Sequence, residues 1–283
     1  MKGIRLAGFY LVAVAFGGSI LAWLLNGMVD VEYEKLLSRC VLLLAAAGLW
    51  PLARASGLGA AEIGISPARG GLLWRPYLIG VLTTVPLILL FVVVEFRVAD
   101  VRVVVGSWGF FGLLVVIFVS AWLVGLFEEV LFRGVAYAGV RRLTGDAGAA
   151  LVTSLLYAAA HFFRGSAVPG DAVHWYTGLG EVVAATMNVA RADWDSFLAL
   201  TLIGLLLCRV RRSRGLWWCV ALHAAWVMCV RLFKELTVRD LLSPYQVLVG
   251  DYDHFVGLAA VVWLLFLFVC LALGRTFRRH PAG

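Results

Sequence analysis

Apolar runs of about 20 residues recur along the whole chain, each long enough to cross a bilayer as a helix. Eight spans are predicted, at 6–25, 36–53, 76–95, 118–140, 147–163, 196–208, 215–233 and 255–273. None of the runs alternates apolar and polar positions with a period of two, which excludes a transmembrane barrel. The pattern predicts an all-α polytopic membrane protein: one integral membrane domain over 1–283 with about eight transmembrane helices. Two connections are longer than a tight turn. Ala55–Arg75 is glycine-rich, contains Pro67, and reads as a loop or a short interfacial element. Arg164–Asp195 carries Pro169, Gly170, Gly178 and Gly180 and reads as an extramembrane connection. Its later part, Glu181–Ala190, has the pattern of a short amphipathic helix, so a lid or substrate-access element is the alternative reading.

The polar positions between runs sort by charge. One side collects Lys2 and Arg5, then Arg54, Arg69 and Arg75, then Arg141 and Arg142, the stretch Arg209–Arg214, and the tail with Arg275, Arg278 and Arg279. The other side collects Asp30, Glu32 and Glu34, then Asp100 with Arg97 and Arg102, then the mixed connections at 164–195 and 234–254. Basic residues favour cytoplasmic loops, so eight spans with both termini in the cytoplasm satisfy the pattern, and an odd number breaks it.

Composition agrees. The chain of 283 residues is 63% hydrophobic and 14% charged with a mean hydropathy of +0.95, whereas soluble domains carry about 25% charged residues. The net charge of +7 does not point to nucleic acid, because the basic residues sit at the ends of apolar runs. Arginine supplies 21 of the 24 basic residues, a bias expected of a GC-rich bacterial genome and hence of a multi-pass protein of the inner (plasma) membrane. Cys40, Cys208, Cys219, Cys229 and Cys270 all fall within apolar runs without a CxxC, and read as small buried residues. Met1–Ala22 has a basic start, but its apolar stretch is too long for a signal peptide and lacks an A-x-A site, so it reads as an uncleaved first helix.

The chemistry concentrates in the stretch Leu126–Arg142, LFEEVLFRGVAYAGVRR. Each charge at the centre of a membrane helix costs roughly 2.5–3.5 kcal/mol, so three such residues imply a role that outweighs the cost. Glu129 and Arg133 are i and i+4 on one face in the favourable order and are expected to pair. Glu128 lies about 100° further round and has no partner in its own segment. His161 and His223 also sit inside apolar spans, whereas His174, His254 and His280 fall in connections or the tail and are expected to be solvated. Measured from the basic ends, Glu128 lies about 20 Å deep, His161 about 22 Å and His223 about 14 Å at 1.5 Å per residue. Three helices thus bring an acid and two imidazoles to comparable depths.

Glu128-Glu129-Val-Leu-Phe-Arg133, followed by glycine, resembles the EExxxR motif of the CPBP family, the CAAX proteases and bacteriocin-processing enzymes. Tyr157-x-x-x-His161 is similar to that family's FxxxH motif with tyrosine for phenylalanine, and Arg214-Gly-Leu-Trp-Trp-Cys-Val-Ala-Leu-His223 is similar to its third motif. The resemblance covers roughly 118–230, the motif-bearing core, and resembles type II CAAX prenyl endopeptidases. It implies an intramembrane glutamic endopeptidase. Glu128 would then activate a water with help from His161, Glu129 and Arg133 would support the site, and His223 would stabilise the oxyanion. Tyr157 and Trp226 are the expected supporting residues. One position departs from the pattern: the family's asparagine four residues beyond the histidine is Val227 here, which donates nothing. Trp226, Trp218 or a backbone N–H would have to replace it.

Other protease classes find no support: HExxH is absent, no serine motif precedes a helical histidine partner, and no pair of intramembrane aspartates exists. Zinc held by Glu128, His161 and His223 would form a three-ligand site, but the family reading needs no metal or other cofactor. The expected partners are a membrane-associated protein or peptide substrate and the lipid bilayer. The competing functions are a proton-coupled transporter, in which Glu128 and the histidines form a relay, and a catalytically silent membrane scaffold or immunity factor.

Overall fold

The structure, a computed structural model, describes residues 2–65, 73–94, 108–163, 168, 172–237, 245–250, 252–253 and 255–279. Within them the chain is helical: α1 (Lys2–Leu25), α2 (Tyr33–Ala55), α3 (Ala60–Ile63), α4 (Trp74–Val94), α5 (Trp108–Glu129), a π-helical segment (Val130–Ala136), α6 (Tyr137–His161), α7 (Thr177–Ala190), α8 (Trp194–Arg214), α9 (Leu216–Leu236), α10 (Gln246–Val249) and α11 (Leu258–Arg279). Among the described residues, five helical stretches are long and apolar enough to cross a membrane: Arg5–Leu25, Tyr33–Ala55, Trp74–Val92, Gly109–His161 and Leu216–Leu236.

Gly109–His161 is not one rod. Gly145, with φ 73° and ψ −174°, breaks it into two arms that carry the predicted spans 118–140 and 147–163. Only glycine adopts that backbone without strain. The break is fastened by Asp146, which meets Arg141 Nε at 2.8 Å and accepts from the Tyr137 hydroxyl of the first arm at 3.0 Å. Gly215, with φ 95°, makes the corresponding sharp turn between α8 and α9. In α8 the predicted span 196–208 is shortened by Asp195 at one end and four arginines at the other. Leu258–Leu273 in α11 is apolar but shorter than the five.

The two long connections hold more structure than a plain loop. In 55–75 the short α3 is tied down by Glu62, whose carboxylate accepts the Gly59 N–H at 3.0 Å. Arg142 donates to Glu62 at 2.7 Å and to the carbonyls of Ser56 and Gly57. Those bonds, the Gly59 N–H first, hold the Glu62 carboxyl below its usual range. The plain-loop reading of 164–195 is corrected: Thr177–Ala190 is the helix α7, packed against α1 so closely that a Cβ on Gly178 would lie 2.6 Å from Ser19 Cβ. Pro67, Arg69, Arg97, Asp100, Arg102, Pro169, Gly170, His254 and His280 lie outside the described residues. Of the five cysteines, Cys40, Cys208, Cys219 and Cys229 are buried free thiols, and Cys270 is exposed. His174 is exposed.

The largest core lies where α6, α8, α9 and α11 meet, around Phe91, Tyr157, Leu200, Phe233 and Phe255. Glycines set the helix spacing around α9. A Cβ on Gly80 of α4 would lie 2.6 Å from Ala225 Cβ and 2.8 Å from the Leu222 carbonyl. A Cβ on Gly125 of α5 would lie 3.1 Å from both the Ala224 nitrogen and the Val220 oxygen. Small residues allow helices in lipid to approach to backbone contact. Here the approach occurs on either side of His223, and Gly125 is three residues before Glu128.

Candidate active site

Glu129 and Arg133 pair as expected, Arg133 Nη1 to Glu129 Oε1 at 3.0 Å, and both side chains are wholly buried. The same carboxylate oxygen also accepts from His223 Nδ1 at 2.8 Å across the α5–α9 contact. The other ring nitrogen, His223 Nε2, lies 3.7 Å from Glu128 Oε2. One imidazole therefore stands between the two carboxylates. Glu128 is the less enclosed of the pair: its side chain is 23% exposed, against 0% for Glu129.

The arginine is satisfied unconventionally. Among the described residues its Nε and Nη2 meet no hydrogen-bond partner, nor does Glu129 Oε2. Instead the guanidinium lies over the Tyr157 ring at 4.2 Å from the centroid. A desolvated cation over an aromatic face gains on the order of 2 kcal/mol, which offsets part of the missing hydrogen bonding.

Tyr157 and His161 come from the second arm of α6. His161 Nδ1 bonds the Tyr157 carbonyl at 2.8 Å, one helical turn back. A carbonyl only accepts, so Nδ1 carries the proton and Nε2 keeps its lone pair in the neutral ring. The Tyr157 ring meets the His161 ring edge-on at 4.4 Å, and its hydroxyl lies 3.5 Å from His223 Nε2. Glu128, Glu129, Arg133, His223, Tyr157 and His161 thus form one connected cluster drawn from α5, the π segment, α6 and α9.

Trp226 is not part of it. Its Nε1 donates to Thr83 Oγ1 at 3.0 Å, toward α4 and away from the carboxylates. Trp218 lies under the Arg214 guanidinium at 5.0 Å, at the basic end of α9. No group of three or more His, Cys, Asp or Glu side chains among the described residues has metal-binding geometry.

Two features escaped the sequence reading. The helix loosens into a π segment over Val130–Ala136, directly after the glutamates, where such segments concentrate at functional sites. Arg211, one of the basic residues closing α8, donates Nε to the Arg133 carbonyl at 3.0 Å and Nη2 to the Glu62 and Ile63 carbonyls at 2.8 and 3.1 Å. It ties the π segment to α3. In sequence it is indistinguishable from the other arginines of its cluster.

Residues 110–229 match the family model described as Type II CAAX prenyl endopeptidase Rce1-like. No curated protein and no solved structure matches the chain.

Proposed function

We propose, from the match of residues 110–229 to the Rce1-like type II CAAX prenyl endopeptidase model, that the chain is a membrane endopeptidase of that kind and hydrolyses a peptide bond of a membrane-associated protein or peptide with a water activated by Glu128. The observation that carries the reading is the placement of His223 between Glu129 at 2.8 Å and Glu128 at 3.7 Å, beside a carboxylate that is partly open. Glu128 takes a proton from water as the water oxygen adds to the scissile carbonyl carbon, and the carbonyl electron pair moves onto its oxygen. The tetrahedral species then collapses, the C–N bond breaks, and Glu128 returns the proton to the leaving nitrogen. Glu129 and Arg133 hold the His223 ring so that Nε2 faces the reacting centre. His161, with Nδ1 tied to the Tyr157 carbonyl, presents Nε2 as a partner for the water. No step requires a metal or cofactor.

The site's place inside apolar helices supports a substrate held at a bilayer, with the bacterial plasma membrane as the location and nucleic acid no part of the function. The basic-loop pattern supports eight spans with both termini in the cytoplasm.

The test uses purified protein in proteoliposomes with two fluorophore–quencher peptides, one farnesylated and ending in a CAAX sequence, the other held by an N-terminal acyl chain. Cleavage of either by wild-type protein, lost by more than 100-fold in Glu128→Gln, supports the protease. Proton-driven flux that depends on Glu128, with no cleavage, would replace it with the transporter. Absence of both activities would leave the scaffold.

A further inference from the structure

We propose that the Tyr157 hydroxyl is the donor that stabilises the oxyanion, an assignment that rests on the glutamic peptidase reading. The Tyr157 ring is buried and clamped on several sides: Phe132 meets it perpendicularly at 5.4 Å, His161 edge-on at 4.4 Å, and the Arg133 guanidinium covers a face at 4.2 Å. Phenylalanine would make the same ring contacts. The hydroxyl adds a buried polar group whose one hydrogen-bond contact among the described residues, His223 Nε2, is 3.5 Å away. That is long for an O–H donor, whose bonds cluster near 2.7–2.8 Å. A buried hydroxyl bonded so poorly costs stability that phenylalanine would spare.

Its position explains its presence. His223 Nε2 has the Tyr157 hydroxyl on one side and Glu128 Oε2, at 3.7 Å, on the other. Those two legs are short enough for one carbonyl group to lie between carboxylate and hydroxyl. The other side-chain donors nearby are committed. Arg133 Nη1 and His223 Nδ1 both serve Glu129 Oε1, and Trp226 Nε1 serves Thr83. The remaining Arg133 nitrogens belong to a wholly buried guanidinium laid against the Tyr157 ring face, whereas the hydroxyl stands at the ring edge beside Nε2. Val227, one turn beyond His223, offers no polar atom. When the carbonyl oxygen gains charge, the Tyr157 O–H turns from its long contact with His223 to the oxyanion, a bond that strengthens only as charge develops.

The decisive variant is Tyr157→Phe, assayed in proteoliposomes with the acyl-anchored peptide and with a phosphinic peptide of the same sequence as a tetrahedral anionic mimic. The expected result is a fall in kcat of roughly 100- to 1,000-fold with KM unchanged, the size seen when one oxyanion donor is removed. Phosphinate affinity should fall in parallel, while melting temperature holds or rises, as loss of a poorly bonded buried hydroxyl predicts, and the shape of the pH profile stays as in wild type. Adding Val227→Asn to that variant places an amide on the same helical face as His223 and is expected to recover at least tenfold of the loss. Retention of more than a third of wild-type kcat by Tyr157→Phe overturns the assignment. So does a loss of activity with unchanged phosphinate affinity or a lowered melting temperature, which would make the hydroxyl structural. Wild-type protein that cleaves neither peptide removes the protease reading itself, whereas wild-type activity that survives Tyr157→Phe removes this assignment alone.

Discussion

The α1–α2 pair and the α5–α9 pair are both built on close helix contact, and they use it differently. In the first, Gly18 lies so near Val41 that a Cβ would meet its Cγ2 at 2.5 Å, and Gly48 is covered by the Tyr10 ring with a Cβ distance of 2.8 Å. Around this seam Ala22, Tyr33, Leu36, Leu37 and Cys40 form a buried cluster, with no buried ion pair among the described residues. In the second, Gly125 brings α5 against the backbone of α9, and the space beside that contact holds Glu129, Arg133 and His223, all buried. The first pair gains stability from packing and from the Tyr10 hydroxyl, which donates to the Ala45 carbonyl across the seam. The second spends part of that gain on burying charge, which hydrocarbon opposes. Packing that tight around a costly ionic cluster makes sense where the cluster has work to do.

The comparison breaks most visibly at Arg133. Arg133→Met leaves Glu129 in a dry site with His223 alone and should destabilise the protein by roughly 3–5 kcal/mol, read as a lowered melting temperature in detergent. Glu129→Leu combined with Arg133→Met should recover much of that stability without recovering cleavage. Full activity in the double variant would show that the pair is only a structural fastener. Among the described residues no ionic cluster of that kind exists at the α1–α2 seam, so no single substitution there should produce the same pattern.

A smaller effect sharpens the contrast. Gly80→Ala forces a Cβ to within 2.6 Å of Ala225 Cβ, and Gly18→Ala forces one to within 3.0 Å of the Val41 backbone. Overpacking of this kind costs about 1–3 kcal/mol at either place. Gly80→Ala should also lower kcat, because α9 carries His223. Gly18→Ala should leave kcat per folded molecule unchanged. Equal kcat in the two variants would mean that the spacing of α4 and α9 does not set the site.

The smallest effect belongs to the exposed Glu62–Arg142 contact. The folded state holds the Glu62 carboxyl below its ordinary value, by the Gly59 N–H and then by Arg142. Its contribution is therefore present above the ordinary carboxylate range and lost as pH falls through the depressed value. Solvent screens so exposed a contact. Melting curves of Glu62→Gln and wild type should differ slightly at pH 7 and converge on acidification; a gap that widens toward low pH would reverse the sign.

Much of this was legible along the chain. The apolar runs specify membrane helices because a bilayer admits little else, and the i, i+4 spacing of Glu129 and Arg133 specifies their pairing because helical geometry is local. Gly145 and Gly215 mark reversals that only a residue without Cβ makes easily. The connection 164–195 was harder: α7 is held by its contact with α1, a partner some 160 residues earlier that no local pattern announces. The π segment has an α-helical sequence period, and its Arg133 carbonyl is bonded by Arg211 from a different helix.

Residue types and their spacing along single helices were enough to determine a helical membrane protein and which glutamate Arg133 would hold. Tertiary structure alone decided that His223 reaches Glu129 with one nitrogen and faces Glu128 with the other, that Trp226 turns away to Thr83, and that the Tyr157 hydroxyl stands beside the same imidazole. The physical reason is that helix periodicity fixes which face a side chain occupies, whereas the rotation and approach of one helix against another depend on the small residues at their contact.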